Sequence, residues 1–241
     1  MADVSDVKKV LGKRAVDLFV TDGMKLGLGT GSTAIWAVRR VAEKLREGSL
    51  KGIRAVTTSL QSELEARALG ISVATLNDAD MAAGLDLTID GADEVDGERN
   101  CIKGGGGALL VEKIVAYASR RFIVIVDEAK ISARLCDRFA IPLEIAIPAV
   151  ATVTRAVQAL GASSALGATV SLRQAVRKAG PVVTDLGNLL LDVSFAGPFD
   201  PRAMEEELNR IPGVLENGLF TRKRPELLVG FADGRVEHRA L

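Results

Sequence analysis

Histidine and cysteine are scarce in this sequence, and their scarcity limits the kinds of active site that it can build. The one histidine, His238, lies three residues from the C-terminal residue, and Cys101 and Cys136 are the only cysteines. Two cysteines provide neither a disulfide framework nor a zinc cluster. A serine–histidine or cysteine–histidine pair would have to use His238, and nothing around it indicates such a pair. Acid–base chemistry is therefore expected from carboxylates and lysines.

Aromatic residues and net charge are also low. Aromatics make up 4% of the 241 residues, and 31 basic side chains balance 31 acidic ones. This composition disfavours a nucleic-acid or membrane-surface binder, because such proteins need a basic face and often aromatic stacking platforms. No apolar run has the length of a membrane span, and the polar N-terminal segment MADVSDVKKVLG is unlike a secretory signal. We expect a cytoplasmic protein with no nucleic-acid or membrane partner.

Hydrophobic residues, by contrast, make up 48% of the chain, which is enough for a large core. In the first half, short runs rich in Ile and Val alternate with segments of helical periodicity. This alternation predicts an α/β fold with a Rossmann-like, mostly parallel sheet and helices on both faces. The predicted strands are 24–29, 53–58, 71–76, 85–92 and 122–127.

The pattern changes after about residue 137. Strand, helix, strand, strand, helix and strand follow between 141 and 220, which is the order of a small ferredoxin-like α+β unit. The segment 226–239 predicts a hairpin that can return to the first sheet. We therefore predict a catalytic domain made of 1–137 and 221–241, with a small lid domain, 138–220, inserted before the C-terminal strands.

A turn of small residues, GLGTGSTA at 27–34, joins the first predicted strand to its helix. Backbone N–H groups at a helix N-terminus bind anions, and the hydroxyls of Ser32 and Thr33 can cap the helix. The turn lacks the Gly-Lys-Ser/Thr of a P-loop and the third glycine of a dinucleotide fingerprint. It indicates either an anion site or a tight structural turn.

The acidic segment DGADEVD at 90–96 follows the fourth predicted strand. Ligands of parallel sheets bind at the carboxyl ends of the strands. Gly91 and Ala92 allow a sharp turn, which brings Asp90 and Asp93 towards one crevice. A solvated acidic turn and a magnesium site are the alternatives, although no further metal ligand is evident.

The segment KGGGGALLVEKI at 103–114 places a lysine and four glycines before a predicted helix. Glycine allows the backbone to approach a ligand closely, at an entropic cost. On the helix, Glu112 shares a face with the apolar residues 108, 109, 115 and 116. Burial among them favours the protonated carboxyl and makes Glu112 a useful general base. The alternative is a structural Glu112 held by Lys103 or by Lys130, which follows the fifth predicted strand.

Taken in order, these segments resemble the signature segments of the type A ribose-5-phosphate isomerases. GLGTGSTA, DGADEVD, KGGGGALLVEKI and IVIVDEAKIS match four of them, and IPLEI, TDLGNLLLDV and IPGVLENGLF match later ones. The resemblance covers almost the whole chain. It implies an aldose–ketose isomerase of the non-oxidative pentose phosphate pathway that interconverts D-ribose 5-phosphate and D-ribulose 5-phosphate through a cis-enediol(ate). It also implies a homodimer or homotetramer with no metal or organic cofactor.

The matching positions imply roles for individual residues. Glu112 matches the family's catalytic base, and Asp90 and Lys103 match residues assigned to ring opening and to stabilising charge on the enediolate oxygen. The family's architecture further implies that the small domain excludes solvent from the intermediate. The positions that match substrate contacts are Thr30, Gly31, Ser32, Thr33, Asp90, Gly91, Ala92, Asp93, Lys103, Gly104, Gly105, Gly106 and Lys130.

Two other classes of protein compete with this interpretation. One is another enzyme on a related fold, such as an amino-sugar-phosphate deaminase or a CoA-transferase. A deaminase of that group is expected to use a histidine near its site, and His238 is badly placed for that role. The other is a non-catalytic sugar-phosphate sensor. Such a module is expected to follow a DNA-binding helix-turn-helix, and only residues 1–23 precede the first predicted strand.

Overall fold

A computed structural model describes residues 4–241, which divide into two compact units. Residues 1–3 of the predicted catalytic domain lie outside the described residues. The helices are α1 (Val4–Phe19), α2 (Gly31–Arg46), α3 (Leu60–Ala68), α4 (Leu109–Tyr117), α5 (Val150–Ser163) and α6 (Pro201–Asn209). The strands are β1 (Lys25–Leu28), β2 (Arg54–Thr57), β3 (Leu85–Asp90), β4 (Glu94–Val95), β5 (Cys101–Ile102), β6 (Ser119–Asp127), β7 (Ile141–Ile145), β8 (Ala168–Leu172), β9 (Leu189–Phe195), β10 (Val214–Asn217), β11 (Leu219–Phe220), β12 (Glu226–Gly230) and β13 (Val236–Arg239).

The first unit contains 4–92, 111–130 and 223–241 and is built on a six-stranded sheet. The strand order is β13-β12-β6-β3-β1-β2, and only the pairing of β13 with β12 is antiparallel. The predicted Rossmann-like, mostly parallel sheet is therefore confirmed, as is the return of the C-terminal hairpin to that sheet.

Most residues in the strands of this sheet are buried, in agreement with their apolar sequences. Residues 122–126 of β6 are all buried, as are all five residues of β12. Leu11 of α1 and Val38 of α2 lie in the same apolar core as Ile123. Continuous runs of Ile and Val are typical of parallel strands whose two faces are covered.

The predicted strand at 71–76 is wrong, because only Val73 pairs there, in an isolated parallel bridge with Ala55. The chain turns soon afterwards. Asp78 accepts hydrogen bonds from both the backbone N–H and the hydroxyl of Thr75, a local arrangement that replaces strand pairing.

The second unit contains 93–110 and 131–222, and its main sheet is antiparallel with the strand order β10-β7-β9-β8. Together with α5 and α6, these strands give the predicted order of strand, helix, strand, strand, helix and strand. Asp200 caps α6 by accepting a hydrogen bond from the N–H of Ala203 at 2.8 Å, and Pro201 occupies the first turn, as the sequence predicts.

A second, three-stranded sheet in this unit has the order β11-β5-β4. The unit takes in 93–110, 131–137 and 221–222 in addition to the predicted 138–220, and β4 and β5 of this sheet lie in the first of these segments. β5 pairs with β11, and Ile102 and Leu135 lie in the same apolar core as β7 and β9. Among residues 4–241, no helix combines the length and the apolar character that a membrane crossing requires.

Candidate functional site

The turn between β1 and α2 presents the start of a sixteen-residue helix. Thr30, rather than Ser32 or Thr33, occupies the N-cap position, and its side chain does not cap the helix. The Thr30 hydroxyl instead lies 2.6 Å from both the Thr58 and the Ser59 hydroxyls. Gly31 has a φ of +97°, which side-chain-bearing residues rarely adopt. The Gly31 N–H donates to Gln61 Oε1 at 3.4 Å. The positive end of the α2 dipole lies at this turn, and a helix N-terminus favours an anion.

Lys8, which the sequence analysis did not single out, lies beside this turn. Its Nζ donates a hydrogen bond to Ser32 Oγ at 3.0 Å. Lys8 is on α1, and α1 packs against α2, so their packing brings the ammonium group to the first turn of α2. The turn thus combines a helix N-terminus, hydroxyl groups and a cation.

Asp90 ends β3 and is completely buried. Its Oδ1 accepts hydrogen bonds from the Thr30 N–H at 3.0 Å and from the Gly91 N–H at 2.8 Å. Gly29 passes so close that a Cβ there would lie 2.1 Å from Asp90 Oδ1 and 2.6 Å from Asp90 Cα. Asp90 therefore ties the turn before α2 to the turn after β3.

Glu112 lies on α4 and is only 5% exposed. Leu109, Val115 and Ala116 of the same helix are buried as well, which confirms the apolar face that the sequence predicts. Lys113, the next residue of the helix, is buried as well. Lys130 ends the short 3-10 helix Glu128–Lys130 directly after β6 and is half-buried.

Lys103 follows β5 in the second unit and is 2% exposed. Its N–H donates to the Gly218 carbonyl at 2.9 Å, and its Nζ lies 5.5 Å from the centre of the Phe220 ring. A buried lysine is costly unless its charge is compensated, and such lysines mark functional or tightly organised regions.

The glycines after Lys103 differ in backbone conformation, in contacts and in exposure. Gly104 and Gly107 have φ values of +102° and +81°. The N–H of Gly105 donates to Asp93 Oδ2 at 2.7 Å, and a Cβ on Gly105 would lie 2.6 Å from Asp93 Oδ1. Gly105 and Gly106 are exposed, so this loop offers bare backbone to a ligand.

The predicted site residues are therefore divided between the two units. Thr30, Gly31, Ser32, Thr33, Asp90, Gly91, Ala92, Glu112 and Lys130 belong to the first unit, and Asp93, Lys103, Gly104, Gly105 and Gly106 belong to the second. Across residues 4–241, no three or more His, Cys, Asp or Glu side chains are grouped in a way that could hold a metal ion.

Comparison with known proteins decides the family. The family profile described as ribose 5-phosphate isomerase A (phosphoriboisomerase A) matches residues 54–234. Ribose-5-phosphate isomerase A of Treponema denticola is 47% identical over 98% of this chain and 99% of its own length. The chain belongs to the ribose-5-phosphate isomerase A family. The family assignment also makes it an isomerase.

Other members of the family agree with this assignment. The protein of Thermosynechococcus vestitus, also named ribose-5-phosphate isomerase A, is 44% identical over 99% of this chain and 97% of its own length. The solved structure of ribose 5-phosphate isomerase A from Methanocaldococcus jannaschii has a TM-score of 0.88 and 39% identity, covering 98% of this chain and 99% of that one. A D-ribose-5-phosphate isomerase solved in complex with phospho-erythronic acid has a TM-score of 0.89 and 39% identity, with the same two coverages.

The single histidine has structural partners in this member of the family. His238 Nε2 lies 2.9 Å from Glu226 Oε2, and the imidazole ring packs edge-on against the Phe19 ring at 5.0 Å. Arg121 binds the same carboxylate with two hydrogen bonds, of 2.9 and 3.0 Å. These hydrogen bonds, the one from Arg121 foremost, lower the pKa of Glu226. His238 thus helps to join β12 and β13.

Proposed function

We propose that this chain interconverts D-ribose 5-phosphate and D-ribulose 5-phosphate through a cis-enediol(ate), with Glu112 as the base, in the non-oxidative pentose phosphate pathway. The observation that carries the proposal is a carboxylate, 5% exposed, on the helix that follows the glycine loop. The relatives named ribose-5-phosphate isomerase A, 47% and 44% identical over nearly the full chain, support the choice of substrate.

The phosphate end of the substrate fits the turn before α2. A phosphate dianion there would meet the N-terminus of α2, the hydroxyls of Ser32 and Thr33, and the ammonium group of Lys8, which already lies 3.0 Å from Ser32 Oγ. Helix N-termini and lysines both stabilise phosphate, and neither supplies chemistry to the sugar carbons. This turn is therefore assigned to binding, with Thr30 and Gly31 shaping its backbone.

The reaction moves one proton between adjacent carbons. In the open-chain aldose, Glu112 would take the proton from C2 while negative charge develops on O1. Returning that proton to C1, together with proton movement from O2 to O1, gives the ketose. A base surrounded by apolar side chains suits this step, because low solvation strengthens a carboxylate as a proton acceptor.

The charge on the enediolate oxygen needs a nearby cation or N–H donor. Lys103 is a suitable cation, since its buried ammonium does not have to shed water when the charge forms. The backbone of Gly104, Gly105 and Gly106 and the carboxylate of Asp93 are suited to the sugar hydroxyls. Asp90, Gly91 and Ala92 would shape the turn beside them, and Lys130 would contact the substrate.

The test is isomerisation of ribose 5-phosphate, followed in the presence of EDTA, by the wild-type chain and by Glu112→Gln. We expect an active wild type and a loss of turnover of about 10²–10⁴-fold in the variant, the usual contribution of a general base. Binding of phospho-erythronic acid, measured by calorimetry, should remain close to that of the wild type, because the amide keeps the size of the carboxylate.

The matched control is Glu207→Gln, the same change at an exposed position of α6. It should keep full activity. Turnover of Glu112→Gln at the level of this control would refute the assignment of the base. A folded wild type that does not convert ribose 5-phosphate would refute the reaction itself.

A further inference from the structure

Arg173 forms an ion pair directly after β8. Its Nε donates to Asp192 Oδ2 at 2.9 Å, and its Nη2 donates to Asp192 Oδ1. Asp192 lies on the neighbouring strand β9, so two paired strands fix the guanidinium group. The Arg173 side chain is only 15% exposed. Because the guanidinium group is planar, the two hydrogen bonds along its Nε–Nη2 edge also fix the direction of its remaining N–H donors.

The other edge of the same guanidinium reaches the glycine loop. Arg173 Nη1 donates to the Gly104 carbonyl at 3.0 Å and to the Gly105 carbonyl at 3.1 Å. The link from Asp192 to the loop is thus continuous and involves only residues of the second unit. Two successive peptide groups receive hydrogen bonds from a single nitrogen.

These contacts also set the direction of the loop's N–H groups. A trans peptide is planar, with its C=O and N–H on opposite sides, and the described residues contain no cis peptide. Because the carbonyls of Gly104 and Gly105 face Arg173, the N–H groups of Gly105 and Gly106 are turned away from it. The Gly105 N–H indeed meets Asp93 Oδ2 at 2.7 Å. Successive glycines have many accessible conformations, so their peptide planes need an external partner of this kind.

We propose that Arg173, oriented by Asp192, is a positioning residue for isomerisation: it fixes the glycine loop so that Asp93 and the Gly106 N–H are held ready for the substrate. The inference rests on the proposed function and extends it to two residues outside the site predicted from the sequence. Preorganised backbone N–H groups stabilise developing negative charge because they need no reorientation during the reaction. A loose loop would still bind the phosphate end of the substrate and would lose turnover.

Lysine cannot replace this arginine. It offers one charged nitrogen on a flexible stem, whereas Arg173 uses three nitrogens at once in a fixed plane. Arg173→Lys therefore keeps the charge and removes the geometry. Arg177→Lys is the matched control, because Arg177 is an exposed arginine in the same connection between β8 and β9.

The experiment measures kcat, KM and thermal unfolding for wild type, Arg173→Lys, Arg173→Ala, Asp192→Asn and Arg177→Lys with ribose 5-phosphate. We expect Arg173→Lys to lower kcat by about 10–100-fold, somewhat less than removal of a whole oxyanion donor, with a smaller change in KM. Added guanidinium ion should restore part of the kcat of Arg173→Ala. The double variant Arg173→Lys/Asp192→Asn should turn over no more slowly than Arg173→Lys alone, because both substitutions disrupt the same Arg173–Asp192 interaction.

A merely structural ion pair gives a different pattern. Arg173→Lys would then lower the unfolding temperature while its folded form turned over as fast as Arg177→Lys, and that result would overturn the proposal. If Arg173→Ala does not fold, Arg173→Lys still decides. An inactive wild type would refute the proposed function, whereas an active wild type with a fully active Arg173→Lys would refute only the positioning role.

Discussion

Replacing Gly29 by alanine adds one methyl group, and we expect it to disrupt the turn that Asp90 holds. The added Cβ would lie 2.1 Å from Asp90 Oδ1, 2.4 Å from its Cγ and 2.6 Å from its Cα. Rotating the carboxyl group can relieve the first two overlaps. The overlap with Cα involves backbone, so β1 or the end of β3 must shift.

The magnitude follows from what that shift breaks. Overpacking of a well-packed site costs about 1–3 kcal/mol. Each N–H bond to the buried carboxylate, from Thr30 and from Gly91, contributes about 1.5–3 kcal/mol. The alanine also restricts the unfolded chain, which offsets about 0.4–1 kcal/mol. We expect a net destabilisation of at least about 3 kcal/mol, or roughly 6–12 °C in Tm for a chain of this size.

Differential scanning calorimetry and the isomerase assay together test this reasoning. Gly97→Ala is the control, since a Cβ on Gly97 would meet no atom within 4 Å and its φ is not positive. Gly97→Ala should keep the Tm and activity of the wild type, whereas Gly29→Ala should have a lower Tm and lower activity. A Gly29→Ala protein that melts with the control and turns over normally would show that the close approach of Gly29 to Asp90 is unimportant.

Two further predictions concern titratable groups. The folded-state pKa of Glu226 lies below its ordinary value of 4.5, chiefly because Arg121 donates hydrogen bonds to it. Its stabilisation is therefore present above pH 4.5 and is lost as the pH falls through the folded-state pKa. Glu226→Gln should lower the free energy of unfolding by about 1–3 kcal/mol near neutral pH. The difference in this free energy between variant and wild type, measured by urea unfolding, should narrow as the pH falls, and a difference that stays constant would contradict this. Burial raises the pKa of the Cys136 thiol, so native Cys136 should react with iodoacetamide far more slowly at pH 8 than in the urea-unfolded chain, and equal rates would contradict this.

Much of the fold could be predicted because burial leaves a periodic signal in the sequence. Parallel strands covered on both faces require apolar runs, and β6 shows one at 122–126. The short strands β4, β5 and β11 have two residues each, too few for any periodicity. Since those strands join 93–102 to 219–220, the extent of the second unit could not be predicted from pattern alone.

The site divides in the same way between local and tertiary signals. Glu112 could be recognised because positions three and four apart share a helix face. Lys8 reaches Ser32, 24 residues away, only through the packing of α1 on α2. Arg173 reaches Gly104, 69 residues away, only through tertiary packing: β8 pairs with β9, β9 pairs with β7, and Pro142 of β7 lies beside Gly104. Neither contact leaves a trace in local spacing.

The two aspartates of the DGAD segment have similar hydrogen bonds and different exposure. Each carboxylate accepts backbone N–H bonds and lies against a glycine that has no room for a side chain: Asp90 against Gly29, and Asp93 against Gly105. Asp90 is completely buried, whereas Asp93 is half-buried. Asp93 is therefore the more accessible of the two carboxylates, while Asp90 holds the Thr30 and Gly91 backbone. One short segment thus contacts both the turn before α2, through Asp90, and the glycine loop, through Asp93.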